Sequence, residues 1–453
     1  MKFIEYGTYS DCIFPLIDKI PSHWEEQKIK FQLNGCIAGG TPDSDSEVYW
    51  IESGRGTPWV AIADMTRFDV ITATEKDVTD RGIASKGLQL VPKGTLLYSI
   101  FASLGKVAEA GVDLVTNQAI LALVPKATLN RKYFSYWLKS IEPYLMYFCT
   151  SNTQNNLNAE KVRNLPLFLP SNIEQQRIAN FLDHETAKID TQIAKQQELI
   201  KLLKEKRQSV ISHAVTKGLN PNAPMRESGV EWLGEVPENW MVSKFKYLVV
   251  ESSAGPYGSS LTKSMYTHAG VRVYGQQQVI PDDFTIGDYY ISESKFETMR
   301  RYEVFPEDVL ISVMGTVGKV AVVPYGVERG VINPRLVKYR VNKNKILPLF
   351  IKASILSEVC QSQLQFSAQG STMDGLNMQI LGELPIAFPT LNDQEKILEE
   401  VSKVQLKFSL SLDRAQRAVD LLSERRTALI SAAVTGKIDV RDWQPPNDAA
   451  IAA

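Results

Sequence analysis

NIEQQRIANFLDHETAKIDTQIAKQQELIKLLKEKRQSVISHAVT, residues 172–216, decides how this chain folds. Apolar residues recur three and four apart at Ile178, Leu182, Ile189, Ile193, Ile200, Leu203, Val210 and Ala214, the spacing of a helix with one buried stripe. No Pro or Gly interrupts it before Gly218. Adding 219 to each number finds the stripe again at Ile397, Val401, Phe408, Leu412, Val419, Leu422, Leu429 and Ala433. The ends agree too: Arg207-Gln-Ser-Val-Ile-Ser-His-Ala-Val-Thr216 returns as Arg426-Thr-Ala-Leu-Ile-Ser-Ala-Ala-Val-Thr435. The chain holds two copies of one long helix. At 1.5 Å per residue each would run roughly 65 Å, more than one small domain covers, so the two stripes are predicted to bury against each other. Antiparallel pairing keeps the linker between the copies short. Glu185, Gln196, Arg207 and Arg426 interrupt the seam, either as polar residues that fix register or as solvated residues beside it.

The duplication extends beyond the helices. Ile20-Pro-Ser-His-Trp24 returns 216 positions later as Val236-Pro-Glu-Asn-Trp240. Between opening and helix, each half carries short β-like runs: 59–63, 96–101, 107–108 and 119–124 in the first, 271–274 and 309–313 in the second. A helix is predicted over 131–148, with Tyr133, Trp137, Ile141 and Leu145 on one face, and its counterpart over 348–363. Each half has a Gly-Lys turn (Ser103-Leu-Gly-Lys-Val107, Thr316-Val-Gly-Lys-Val320), a Leu-Asn pair (Leu157-Asn158, Leu376-Asn377) and a closing Leu-Pro (Leu165-Pro166, Leu384-Pro385). Elsewhere the halves share little, so the frame is copied and the filling has diverged. The predicted class is α+β: two mixed α/β globular units joined by two long helices in an antiparallel coiled coil, with an internal pseudo-two-fold duplication. The expected divisions are a lead-in over 1–20, units over 21–171 and 236–390, helices over 172–217 and 391–436, a linker over 218–235, and a frayed tail over 437–453.

Composition narrows the function. No run of 18 apolar residues exists, so no membrane-spanning helix is expected, and the N-terminus lacks a signal pattern; a cytoplasmic protein is expected. The four cysteines show no metal or disulfide spacing, and the four histidines lie far apart. A formal charge of −1 leaves local basic patches to decide any nucleic-acid binding. Asn333-Pro334-Arg335 approaches an adenine-methyltransferase Asn-Pro-Pro box and fails at the third residue. The Gly-Lys turns lack the earlier glycine of a phosphate-binding loop. Asp282, Glu293 and Lys295 fit the loose Pro-Asp…Glu-x-Lys pattern of Mg²⁺-dependent nucleases, a match that arises cheaply by chance and has no counterpart in the first half.

Two dissimilar readers held apart by a rigid spacer suggest a ruler, and a duplex with two separated half-sites is a natural object for it. Across essentially its full length, the chain resembles the specificity subunit of type I restriction–modification systems. The carrying residues are Gly39-Gly-Thr-Pro42 with Trp59-Val60 and Asp64-Met65, both Pro-x-x-Trp openings, and Ser228-Gly-Val-Glu-Trp-Leu-Gly-Glu-Val-Pro237. Glu174-Gln-Gln-Arg-Ile178, Asp393-Gln-Glu-Lys-Ile397 and the two helix ends running into Ala-Val-Thr complete the set. The resemblance implies a non-catalytic subunit whose two domains each read half of a split double-stranded DNA site. It also implies assembly with two adenine methyltransferase subunits that use S-adenosylmethionine, to which two ATP- and Mg²⁺-dependent restriction subunits can be added; no cofactor is expected in this chain. The alternative from the residues alone is a coiled-coil adaptor presenting two protein-binding domains.

Lys and Arg are expected on phosphates, and amides, hydroxyls and guanidinium groups on base edges. In the first unit the candidates are Lys86, Ser103, Lys106, Asn152, Gln154 and Asn155. In the second they are Gln276, Gln277, Gln278, Thr316, Lys319, Arg335, Gln369, Ser371 and Thr372. A solvated charge, a helix-capping loop or a plain hairpin is the competing explanation at each.

Overall fold

The computed structural model describes residues 4–12, 14, 17–101, 103–148, 157–369 and 375–445. The two predicted long helices are present, at Asn172–Lys217 and Leu391–Val434. The chain divides into two compact units that do not follow chain order: residues 1–196 with 417–453, and residues 197–416. Each therefore contains the start of one long helix and the end of the other. In the first unit Ile178, Ala179, Phe181 and Leu182 share a core with Ile430, Ala433 and Val434. In the second, Ile211, Ala214 and Val215 share a core with Ile397 and Val401. Start meets end in both, the antiparallel pairing expected from the repeat. None of the fourteen seam residues from Ile178 to Val210 and from Ile397 to Leu429 is exposed. Of the four polar interruptions, Arg426 forks onto Asp190 of the facing helix, Nε to Oδ1 at 2.7 Å and Nη2 to Oδ2 at 3.2 Å, a bidentate ion pair across the seam. No described helix is long and apolar enough to cross a membrane.

Both units are built on one plan. In the first, a sheet runs in the order Leu33–Ala38, Ile120–Pro125, Leu96–Ser99, Val107–Ala110, Val70–Ile71. The second has Val249–Ala254, Leu336–Val341, Val309–Ser312, Val320–Val322. Beside each lies a smaller sheet with a parallel pair: Thr57–Val60 with Val115–Thr116, and Val271–Tyr274 with Gly330–Ile332. The Pro-x-x-Trp openings are tight turns, with Trp24 N–H donating to the Pro21 carbonyl and Trp240 N–H to that of Pro237, both at 2.9 Å. The closing Leu-Pro pairs start strands Pro166–Leu169 and Pro385–Phe388, which return to pair with Glu25–Lys28 and Met241–Lys244.

Three expectations need correction. The predicted helix over 131–148 ends at Ser140; Pro143, with no N–H to donate, sits in a tighter turn over Glu142–Tyr144 before a last turn Leu145–Phe148. Its predicted face holds, since Tyr133, Trp137, Ile141 and Leu145 are all buried. Its counterpart also breaks, into Pro348–Ile355 and Glu358–Gln369, because the Ser357 hydroxyl donates to the Ser354 carbonyl and accepts from Cys360 N–H. The tail does not fray at Lys437: Ile438 and Val440 are buried in the first core, and Trp443 meets Phe181 edge-on at 5.4 Å.

One buried amide recurs where each long helix begins. Gln175 accepts from Asn130 N–H at 2.8 Å and donates to the Pro170 carbonyl at 2.9 Å. Gln394 accepts from Leu347 N–H at 2.8 Å and donates to the carbonyls of Pro389 and Lys345. Each ties its long helix to the start of the helix that follows the sheet. Gln175→Ala and Gln394→Ala orphan these backbone groups and should each lower stability by about 2–3 kcal/mol, read as a shifted denaturation midpoint. Midpoints equal to the unsubstituted protein would refute that role.

Candidate nucleic-acid interface

The two strands of each parallel pair end at the same edge, and the loops leaving them meet the end of the first sheet strand. In the first unit Gly39 N–H donates to the Ile120 carbonyl, Asn117 N–H to that of Val60, and Ile100 N–H to that of Ala119. In the second unit, Gly255 N–H donates to Leu336, Asn333 N–H to Tyr274, and Val313 N–H to Arg335. The Asn117 side chain accepts from Ala119 N–H at 3.0 Å, and that of Asn333 from Arg335 N–H at 2.9 Å. A Cβ at Gly39 would collide with the Asn117 carbonyl and one at Gly255 with the Asn333 carbonyl, so both positions require glycine. This edge is one backbone built twice.

A short helix leaves it in each unit, Ile62–Arg67 and Gln276–Val279. Buried Asp64 accepts from Ala61 N–H at 2.8 Å; fully buried Gln278 accepts from Gly275 N–H at 2.8 Å and donates to the Ile286 carbonyl. Gln278, expected on a base, is the counterpart of Asp64 and closes the turn instead. Gln276 and Gln277 then correspond to Ile62 and Ala63.

The side chains on this shared frame differ. In the first unit Thr41 donates to Gln118, and the Trp59 indole N–H donates to the Gly40 carbonyl at 2.9 Å, its ring edge-on to Trp50. Leu88 lies against Gly40, and Lys86, two residues earlier, is exposed. In the second unit a cavity of about 570 Å³ is lined by Lys263, Tyr266, Gln276, Gln277, Tyr289 and Arg335. Tyr266 and Tyr289 stack at 5.0 Å. Burial pushes the Tyr266 hydroxyl up, neighbouring Tyr289 adds to this and Arg335 opposes it, so the hydroxyl stays protonated and can donate. Gln276 donates to the carbonyls of Met314 and Thr316 and accepts from Arg335 Nη1 at 3.4 Å.

The Gly-Lys turns are paired hairpins of identical construction. Buried Ser99 donates to the Ser103 carbonyl at 2.6 Å and accepts from Lys106 N–H at 2.8 Å. Buried Ser312 does the same with Thr316 at 2.6 Å and Lys319 at 3.0 Å. Ser103 and Thr316 are exposed, and Ser103 takes a left-handed φ of 32°. Lys106 pairs with Glu142 at 2.9 Å, a half-exposed ion pair of low worth that a phosphate can displace. Lys319 is half-buried and forms no ion pair among the described residues. Asn152, Gln154, Asn155, Ser371 and Thr372 lie outside the described residues, and Gln369 is described only as the last residue of its helix. Asp282 pairs with Lys352 and Glu293 with Arg329, so the two carboxylates of the nuclease-like pattern have separate cationic partners.

The sequence reading missed Thr41, Asn117, Gln118, Lys263, Tyr266, Tyr289 and Asn333 as parts of this edge. Gly39 with Gly255 and Asn117 with Asn333 carried a signal, since each pair is 216 apart, in phase with the Pro-x-x-Trp openings. Gly39→Ala and Gly255→Ala should each destabilise their own unit by about 1–3 kcal/mol. Hydrogen exchange should rise at residues 117–119 in the first variant and 333–335 in the second. Unchanged exchange at both edges would contradict the close approach.

Comparison with known proteins follows the same division. Residues 21–201 and 261–416 match the family model for the type I restriction modification DNA specificity domain. Over 449 residues the chain is 23% identical to the putative type I restriction enzyme MjaX specificity subunit of Methanocaldococcus jannaschii, spanning 94% of this chain and 96% of that one. A 172-residue stretch is 30% identical to the MjaIX specificity subunit of the same organism, but spans only 37% of this chain and 39% of that relative. A solved structure from work on complex assembly and conformational transition of the type I R-M system superposes with a TM-score of 0.67 at 14% identity, covering 93% of this chain and 100% of that one. At that identity the likeness is one of fold.

Proposed function

The chain belongs to the type I restriction–modification DNA specificity family, and we propose that it is the sequence-recognition subunit of such a system. The observation that carries this reading is the edge built twice: the same backbone holds different polar, aromatic and cationic side chains in the two units. That is what reading two unlike half-sites on one duplex requires. Each globular unit reads one half of a bipartite double-stranded site, and the paired long helices set the gap. The chain carries no reaction of its own. Two adenine methyltransferase subunits bring S-adenosylmethionine, and two restriction subunits, where the system has them, bring ATP and Mg²⁺. Leu199, Leu202, Leu406 and Leu410, exposed on the long helices in the second unit, offer apolar surface for a methyltransferase subunit to cover.

The test is genome-wide adenine methylation in cells carrying the intact gene cluster and in cells lacking only this gene. Loss of methylation at one split motif is expected. Identical methylation in both strains would overturn the reading. The spacer role has its own readout: four residues added to each long helix lengthen it by about 6 Å. The preferred gap should grow by about one or two base pairs at 3.4 Å each, with both half-sites unchanged. A fixed gap in a folded, methylating complex would contradict the spacer role.

A further inference from the structure

At the duplicated edge, equivalent backbone positions carry Ala119 in the first unit and Arg335 in the second. Arg335 is held at both ends of its peptide: its N–H donates to the Asn333 side chain at 2.9 Å, and its carbonyl accepts from Val313 N–H at 3.0 Å. Its side chain is exposed, with Nη1 directed at the side-chain Oε1 of Gln276 at 3.4 Å. Gln276 is itself anchored, because its amide nitrogen donates to the carbonyls of Met314 and Thr316 on the Gly-Lys hairpin. A hairpin thus holds an amide, and the amide steadies one arm of a guanidinium whose remaining donors make no hydrogen bond or ion pair among the described residues. An oriented guanidinium fork meets two acceptors at fixed separation, which a phosphate or a base edge can offer. Phosphate contacts carry no sequence information and would serve both units alike, whereas this device stands in one unit only. In the major groove that pair of acceptors is guanine O6 and N7. The first unit has neither part of the device, since Ala119 and Ile62 stand at the two positions.

We infer that Arg335, oriented by Gln276, is the specificity-determining residue for a guanine in the half-site read by the second unit. This rests on the DNA-recognition reading above. Gln276 is a positioning residue; Arg335 makes the base contact.

The experiment complements the gene deletion, in the intact cluster, with the natural gene, Arg335→Ala, Arg335→Lys or Gln276→Ala, and sequences the methylated motif. The natural gene should restore a motif with an invariant guanine in one half-site. Arg335→Ala should relax that position alone, reducing preference for guanine on the order of ten-fold or more, with the other half-site sharp. Arg335→Lys keeps the charge and loses the fork, so it should relax the same position. Gln276→Ala should relax it partially. The sharp other half-site reports that each variant is folded and assembled. If Arg335→Lys keeps every position sharp and Arg335→Ala only lowers methylation overall, Arg335 is a phosphate contact and the inference fails. Relaxation at a base other than guanine, or in the other half-site, also overturns it. Complete loss of methylation with both Arg335 variants would likewise refute a role confined to one base. If no motif depends on the natural gene, the DNA-recognition reading fails and this inference with it.

Discussion

The core of each unit is completed by a helix end that the chain delivers from the opposite repeat. Ile430, Val434 and Ile438 enter the first core after the second repeat has been made; Ile211 and Val215 enter the second core from the first repeat's helix. Burying side chains of this size is worth about 1.5–3 kcal/mol each, so a repeat without its partner's helix end loses several core side chains and uncovers those they pack against. The glycines that stop the long helices belong to the same constraint. Gly218 and Gly436 both take left-handed φ, of 81° and 73°, and turn the chain against Trp240 and Trp24 respectively. Opening turn, helix end and stop therefore form one cluster in each unit. That is why the Pro-x-x-Trp phrase and the Ala-Val-Thr phrase recur in both repeats.

What was legible in the sequence is what this cluster constrains. The long helices and their seam were legible because a buried stripe must repeat its chemistry as well as its spacing. The edge was only half legible. Asn117 and Asn333 serve one role with one residue type and could have been paired by their spacing. Asp64 and Gln278 serve one role with different residue types, since a carboxylate and an amide oxygen both accept from the turn N–H. Repetition of residue type could not reveal that, so Gln278 read as one more amide in a polar run. The two helix breaks share a signal that spacing could have shown: the Ser140 hydroxyl donates to the Trp137 carbonyl as that of Ser357, 217 residues on, donates to Ser354, and Pro143 follows only in the first.

The two units also differ in how tightly their helix breaks are held. In the second unit, Gln208 of the long helix donates to the Leu356 carbonyl at 2.7 Å and Ser212 accepts from Glu358 N–H at 2.9 Å. In the first unit the corresponding residues, Thr427 and Ser431, face Ser140 and Pro143 across a cavity of about 510 Å³. The frame thus tolerates local rearrangement wherever packing of the helix end, and not the hydrogen bonds, carries the energy.

This separation of frame from filling explains how one backbone can read unlike sequences. The bonds that shape the edge run between backbone groups or through buried Asp64 and Gln278 and half-buried Asn117 and Asn333. The positions left over, 62 and 63 with 118 and 119 in one unit, 276 and 277 with 334 and 335 in the other, supply none of these duplicated bonds with their side chains. Exchanging Ile62 for a glutamine or Ala119 for an arginine leaves the duplicated hydrogen bonds intact, because those bonds use atoms that every residue except proline carries at these positions. An exposed exchange shifts stability by about half a kcal/mol, and one at Ile62, which packs against the core, by more, while a bidentate base contact is worth about 1–3 kcal/mol of discrimination. A change of preferred base therefore lies within reach of a few substitutions at this edge, and the fold that presents it survives each of them.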